Sequence, residues 1–268
     1  MLSTVSTMTR RQALRHVSAG ALLAAGLWPG ITRGEDGGRF RFVVVNDLHY
    51  MSDECGVWLR RAVARIKAEK PEFCIVAGDL TDHGTEEETE KVGEILKEIA
   101  VPTHVVIGNH DYTTLNERGP YEKVFPGRIN YWFEHKGWQF VGLDTTEGTR
   151  YEKTNVSEAT LQWLDKELPK LQPKSPTVIF THFPLGIDVP YRPLNTDALL
   201  EKFRDLNLRA VFSGHFHGYT ERRQGAAVLN TNVCCALKRG NHDNTNVKGY
   251  FLCEASEQTV VRTLVEVG

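Results

Sequence analysis

No Cys-x-x-Cys pair occurs among the five cysteines, Cys55, Cys74, Cys234, Cys235 and Cys253. An odd count without that spacing excludes both a cysteine zinc cluster and a disulfide framework. Cys74 and Cys253 lie in apolar, strand-like runs and read as buried thiols. Adjacent Cys234 and Cys235 point to opposite faces of a strand, which argues against a bridge between them. An excess of one charge is also missing, the net charge being −2 over 268 residues. Losing residues 1–34 would remove four arginines and leave −6. That acidic balance argues against a general nucleic-acid partner. Nor is there an apolar run of the ~20 residues that a permanent transmembrane span requires. Repeats and low-complexity segments are absent as well, and 41% hydrophobic residues leave one sizeable domain as the natural count.

The longest apolar stretch near the start, Val17 to Trp28, follows Thr9-Arg10-Arg11-Gln12-Ala13-Leu14-Arg15 and precedes Pro29-Gly30. A basic region before a short apolar one has the make-up of a secretory signal, and the paired arginines resemble a twin-arginine export signal. The plainer alternative is an amphipathic helix carrying two arginines. We expect residues 1–34 to engage the twin-arginine export machinery, residues 35–39 to form a linker, and residues 40–268 to form the working domain. The expected location is periplasmic or extracellular, with a membrane tether where the signal is retained.

Within that domain, apolar runs alternate with helical patterns. Strands are expected at about Phe40 to Asp47, Phe73 to Asp79 and Val105 to Ile107. Val57, Leu59, Ala62, Val63 and Ile66 recur at helical spacing, and so do Val92, Ile95, Leu96 and Ile99 after a Thr85 cap with Glu88 three residues on. Such βαβαβ units imply a parallel sheet with right-handed crossovers. Pro120 to Trp132 reads as a loop beside the strand ends, Trp138 to Asp144 as a strand, and Ser157 as the cap of a helix reaching about Leu168. Asn195 to Leu206 repeats the helical theme. Late strands at Ala226 to Asn232, Gly249 to Glu254 and Thr259 to Glu266 suggest an antiparallel portion or a second sheet.

Five apolar runs end in metal-ligating side chains. Val43-Val44-Val45 leads to Asp47-Leu48-His49, Ile75-Val76-Ala77 to Gly78-Asp79, and Val105-Val106-Ile107 to Gly108-Asn109-His110-Asp111. Val178-Ile179-Phe180-Thr181 leads to His182, and Ala210-Val211-Phe212 to Gly214-His215-Phe216-His217. Carboxyl ends of parallel strands are where open α/β sheets bind ligands, so all should reach one edge. If strand geometry persists, Asp47 and His49 share a face, as do His215 and His217. One ion is expected on Asp47, His49, Asp79 and His217, the other on Asp79, Asn109, His182 and His215. Mixed imidazole and carboxylate ligands suit iron, manganese or zinc better than calcium or magnesium. Two ions about 3.5–4 Å apart would acidify a water and clamp a phosphoryl group. His110 fits the general acid, with Asp111 orienting its ring. Any one histidine alone is more often structural; five such motifs together are not.

These motifs, Asp-x-His, Gly-Asp-x-x-Asp, Gly-Asn-His-Asp, a lone His after a strand and Gly-His-x-His, resemble in their order the calcineurin-like metallophosphoesterase superfamily. Asn130-Tyr131-Trp132-Phe133, Gly142-Leu143-Asp144-Thr145 and the Trp163-Leu164 helix extend the resemblance over Phe40 to Glu266. It implies an α/β fold, a four-layer α/β/β/α sandwich of two mixed sheets, with a dinuclear site. Asp82 stands where purple acid phosphatases carry a tyrosine ligand. Asp82-His83-Gly84 and Asp111 depart from the Asp-Arg-Gly and Gly-Asn-His-Glu of protein serine/threonine phosphatases. The nearest pattern looks like the bacterial cyclic-nucleotide and glycerophosphodiester phosphodiesterase branch.

The expected function is hydrolysis of a small phosphate diester by attack of a metal-bridging hydroxide. The alternatives are a phosphomonoesterase, favoured if Arg128 or His83 neutralises a dianion, a nuclease, and a non-catalytic metal-binding module. Gly240-Asn241-His242-Asp243 repeats the tetrapeptide at Gly108 without a buried strand directly before it, and reads first as a chance polar loop, with His242 reaching the substrate as the lesser alternative. His83, Tyr50 and Tyr112 read equally as site-lining or solvated residues, and His16, His104 and His135 as surface or packing residues.

Overall fold

Along the first strand, β1 (Phe40–Val45), the side chains divide by parity between two different cores. Phe40, Phe42 and Val44 join one apolar cluster, Val43 and Val45 another, because successive strand residues face opposite sides. The second strand, β2 (Phe73–Ala77), divides the same way, Phe73 and Ile75 from Cys74 and Val76. A strand buried on both faces needs a layer on each, which is the condition for a parallel sheet inside a sandwich.

The computed structural model describes residues 38–268. The signal reading of residues 1–34, and His16 with it, lies outside the described residues. The first sheet also contains β3 (Thr103–Val106), β10 (Gly249–Ser256) and β11 (Thr259–Glu266), in the order β11-β10-β1-β2-β3. Strands β1, β2 and β3 run parallel, while β10 and β11 complete the sheet antiparallel. The second sheet is formed by β4 (Tyr131–His135), β5 (Trp138–Leu143), β6 (Pro176–Thr181), β7 (Asn207–Ser213), β8 (Thr220–Gln224) and β9 (Ala227–Thr231). Its order is β4-β5-β6-β7-β9-β8, with β5, β6, β7 and β9 parallel and the two edges antiparallel.

Between the sheets lies an aromatic core of Phe40, Phe42, Phe73, Trp138, Phe140, Phe180, Phe212 and Phe251. Phe42 stacks on Phe73 at 5.1 Å and Phe133 on Phe140 at 5.0 Å. On the outer face of the first sheet, α1 (Asp53–Ala68) and α2 (Glu86–Lys97) lay down Leu59, Ala62, Val63, Ile66, Val92, Ile95 and Leu96. Ser52 and Thr85 cap them by accepting from Cys55 N and Glu88 N. After the short α3 (Gly119–Val124), α4 (Glu158–Glu167) and α5 (Thr196–Glu201) cover the second sheet through Leu164, Leu199 and Leu200 against Val141, Ile179 and Val211. Two mixed sheets between helical layers give the four-layer α/β architecture expected from the sequence. Among the described residues no helix is long and apolar enough to cross a membrane.

Three elements differ from the sequence reading. The loop expected over Pro120 to Trp132 contains α3, and Tyr131 opens β4, an edge strand whose aromatic run shows no alternation. Strand β8, Thr-Glu-Arg-Arg-Gln, carries no apolar signal because it is a polar edge. The helix expected over Asn195 to Leu206 stops at Glu201, and Phe203 and Leu206 continue as turns bonding to carbonyls three residues back. All five cysteines are buried and free.

Candidate metal centre

The parallel strands of both sheets release their chains at one edge, but the ligands do not converge by strand alternation. Strands β1, β2 and β7 end at Val45, Ala77 and Ser213, short of the ligands. Asp47, His49, Asp79, His215 and His217 hold left-handed φ angles of 53°, 45°, 50°, 63° and 45°. Non-glycine residues rarely adopt that region, and its cost is characteristic of a functional site. The expectation of a shared strand face for Asp47/His49 and His215/His217 is corrected accordingly: each pair is turned inward by two left-handed residues. Backbone bonds from Asp47 N to Gly78 O and from His49 N to Asp79 O lock the first two loops together. His215 N donates to the Asp47 carboxylate and ties in the second sheet.

Two glycines are dictated by this crowding. Gly78 holds φ +81°, and a Cβ there would meet the His182 ring at 2.4 Å. A Cβ on Gly108 would lie 2.2 Å from Asp79 Oδ1. The Gly-Asp and Gly-Asn-His-Asp motifs therefore need their glycines for close approach to the ligands.

The structure gathers Asp47, His49, Asp79 and His217 into one group of ligand atoms lying within 4.8 Å of one another, and Asp79, His182 and His215 into a second. Asn109 joins the second through Oδ1, 3.2 Å from His182 Nε2. Asp79 belongs to both. Its Oδ1 faces His182 Nε2 at 3.2 Å, and its Oδ2 faces His49 Nε2 at 3.5 Å. His217 Nε2 approaches Asp47 Oδ1 at 3.2 Å.

The outward ring nitrogens are each held by an acceptor. His182 Nδ1 donates to Ala77 O, His215 Nε2 to Tyr151 O and His217 Nδ1 to Gly240 O. His49 Nδ1 lies 3.0 Å from Asp82 Oδ1. A carbonyl oxygen can only accept, so a neutral ring presents its other nitrogen inward as a lone pair. Those inward nitrogens face each other in pairs, His49 with His217 at 3.2 Å and His182 with His215 at 3.1 Å. At that distance a shared proton or a metal ion between the two nitrogens satisfies both.

The electrostatics make the same demand. Burial alone would lower His217 and His182, but Asp47 raises the first to about 11 and Asp79 the second to about 9. Burial also opposes ionisation of Asp47 and Asp79, and the surrounding imidazoles overcome it, leaving both carboxyls well below the usual range. Both clusters want positive charge, and their donors fit two metal ions.

His110 is half-buried beside this edge, its ring 4.8 Å from that of His49. Its backbone N donates to Asp79 Oδ1, and its Nδ1 pairs with the backbone oxygen of Asp82 at 2.8 Å. The expected orientation of His110 by Asp111 is corrected. Asp111 accepts from Thr81 N, Thr81 Oγ1 and Gly108 N, bracing the turn that carries Asn109. Burial and the Asp79 charge push Asp111 up to about 7.

The residue that does hold His110 is Asp82, for which the sequence reading had no role. Besides His110 and His49 it receives Arg239 through Nε at 2.8 Å and Nη2 at 2.6 Å. Its place in Gly-Asp-x-x-Asp was the available signal. The Gly240–Asp243 loop, read from the sequence chiefly as a chance repeat, lies at the site: Gly240 O holds His217, and His242 N donates to His217 O at 3.0 Å. Tyr50 is buried in the helix-side core, and Tyr112 is buried with its hydroxyl on Arg118 and Thr146. His83 is exposed and paired with Glu88, and Arg128 lies over the Tyr131 ring. His104 stacks on Phe133 and His135 pairs with Glu72, so both are packing residues.

Because outer partners fix ligand orientation, Asp82→Ala is expected to weaken metal binding about 10–100-fold while preserving the fold. Competition with a chromophoric chelator measures the first, and thermal melting of the apoprotein the second.

Sequence comparisons find phosphodiesterase relatives, and a solved structure shares the fold. A probable glycerophosphodiester phosphodiesterase from Arcobacter nitrofigilis is 30% identical over 165 residues, covering 55% of this chain and 57% of that protein. This chain is thus matched to little over half of that relative. A probable cyclic nucleotide phosphodiesterase from Rhodopseudomonas palustris is 29% identical over 201 residues, 66% of this chain and 71% of the relative. A dimetal phosphatase from Danio rerio shares the fold, with a TM-score of 0.68 at 18% identity, over 85% of this chain and 96% of that one. The calcineurin-like phosphoesterase family model matches residues 40–219. Its span takes in every strand-end motif described above, and the chain belongs to the calcineurin-like phosphoesterase family.

Proposed function

We propose that this chain is a dinuclear-metal phosphoesterase acting on phosphate diesters, with iron, manganese or zinc as the metals. The observation that carries the reading is the division of the Asp79 carboxylate, one oxygen toward each of two imidazole pairs. Asp47, His49 and His217 would hold one ion, Asn109, His182 and His215 the other, and Asp79 both. When bound, such ions supply Lewis-acid activation of the ester and an acidified water.

The chain's own groups supply the rest. His110 is held through Nδ1 on the Asp82 carbonyl, and its Nε2 is the nitrogen we assign to protonate the leaving oxygen. Asp82 fixes the height of both His110 and His49 and takes up the charge of Arg239 through two hydrogen bonds. A guanidinium engaged in this way adds little surplus charge for a dianionic monoester, which favours a monoanionic diester. The phosphodiesterase names of two relatives support the same class.

The test is kcat/KM on bis(p-nitrophenyl) phosphate and p-nitrophenyl phosphate after reconstitution with manganese, zinc or iron. We expect the diester to be preferred by about tenfold or more, a difference of ~1.4 kcal/mol in transition-state stabilisation. A monoester preference would make the chain a phosphatase, and no turnover with any metal would make it a binding module.

A further inference from the structure

Among the described residues seven large apolar side chains are exposed, and four of them sit on loops at the metal-bearing edge of the sandwich. Leu115 is 44% exposed, Tyr151 59%, Ile187 63% and Leu194 68%. They lie on three segments: 113–118 after the Asn109–Asp111 turn, 146–155 after β5, and 184–197 after β6. These segments leave the same strand ends that deliver Asn109 and His182. Single apolar residues scattered over a surface are ordinary, but a concentration around one site marks an interaction surface.

The three segments are joined to one another and to the metal centre. Leu194 N donates to Thr154 O at 2.8 Å, which binds the third to the second. A Cβ on Gly148 would lie 1.8 Å from Leu115 O, so the second presses on the first. Tyr151 O accepts from His215 Nε2 at 2.8 Å and sets its loop against a ligand. Lys153, Asp188 and Tyr191 hold left-handed φ angles of 53°, 57° and 65°, which persist only where the surroundings impose them. The exposed side chains are therefore presented by constrained backbone.

Charge and position narrow the partner. Together the three segments carry five carboxylates and four cations. Arg150 is paired with Glu147 at 2.7 Å and Arg192 with Asp197 at 2.5 Å. A rim so nearly neutral exerts no electrostatic pull on anionic lipid or nucleic acid. A second copy or a folded partner seated on these loops would cover the metal centre, whereas a phospholipid layer presents phosphodiesters to it.

We propose that Leu115, Tyr151, Ile187 and Leu194 form a rim that docks on the surface of a zwitterionic phospholipid layer, with the metal centre facing the headgroups. Insertion of such side chains at the headgroup boundary is driven by apolar burial and needs no net charge. The docking stands on the rim alone. Its purpose, bringing lipid-borne phosphodiesters to the centre, rests on the phosphoester reading.

The test is flotation of the full chain, loaded with manganese, on phosphatidylcholine vesicles. We expect the protein to float with the vesicles equally at low and high salt, since apolar insertion is not screened. Ile187→Ser combined with Leu194→Ser should weaken partitioning about tenfold or more. Val261→Ser should leave it unchanged: Val261 is 60% exposed on β11, beside Glu254 and so near the end of the sheet away from the ligands. The double variant should keep its turnover of bis(p-nitrophenyl) phosphate, a soluble diester that does not need the rim. Absence of vesicle binding would overturn the proposal, as would binding that survives the double substitution, which would assign it to another surface or to residues 1–37. So would binding confined to phosphatidylglycerol vesicles at low salt. A dimer in sedimentation equilibrium that the double substitution dissociates would also overturn it, by making the rim a contact between copies. Failure of the hydrolase reading is distinguishable, since it would appear as absent diester turnover with vesicle binding intact.

Discussion

Asparagine in place of Asp79 is expected to lower kcat/KM on a phosphate diester by about a thousandfold or more, an effect of at least ~4 kcal/mol. The substitution preserves shape and removes the charge. Asp79 faces His49 with one oxygen and His182 with the other, and it is buried at 1% exposure, so solvent cannot replace it. An amide offers one good acceptor where two are needed and turns a nitrogen donor toward one of the clusters. Metal content and activity should therefore fall together. Full activity with both ions retained would show that Asp79 is not shared.

His110→Ala should separate proton transfer from metal binding. We expect kcat/KM to fall by about 10²–10⁴ on an ester with an alkyl-alcohol leaving group. With an acidic phenol leaving group, which departs without a proton, the loss should shrink. Metal content should hold, because the contact of residue 110 with Asp79 is made by its backbone N–H, which alanine keeps. Equal losses on the two esters would indicate positioning, and little loss on either would remove His110 from the chemistry.

The strand ends were legible because their apolar runs stop abruptly at ligands. Phe73–Ala77 followed by Gly78-Asp79 shows the pattern most clearly, since a strand buried on both faces cannot continue into a carboxylate unless that carboxylate has a task. The manner of convergence was not legible. Left-handed φ angles at Asp47, His49, His215 and His217 leave no mark in residue identity. Neither do the carbonyls of Ala77, Tyr151 and Gly240 that orient the imidazoles, because any residue supplies a carbonyl.

The Gly240–Asp243 loop was underweighted in the sequence for a topological reason. It follows β9, which runs parallel to β7, so its chain leaves the sheet at the same edge as His215 and His217. The sequence shows a strand several residues upstream and no sign of that adjacency. Asp111 was misassigned because a carboxylate next to a histidine in sequence suggests a pair. In the short turn Asn109–Asp111 its carboxylate instead reaches back to Gly108 N and Thr81, away from the His110 ring.

The most direct measurement is the number of metal ions bound per chain, by elemental analysis of protein saturated with manganese and freed of excess ion. The arrangement around Asp79 predicts two ions in the unmodified protein and fewer than one retained after Asp79→Asn. A single ion per chain in the unmodified protein would contradict the dinuclear account.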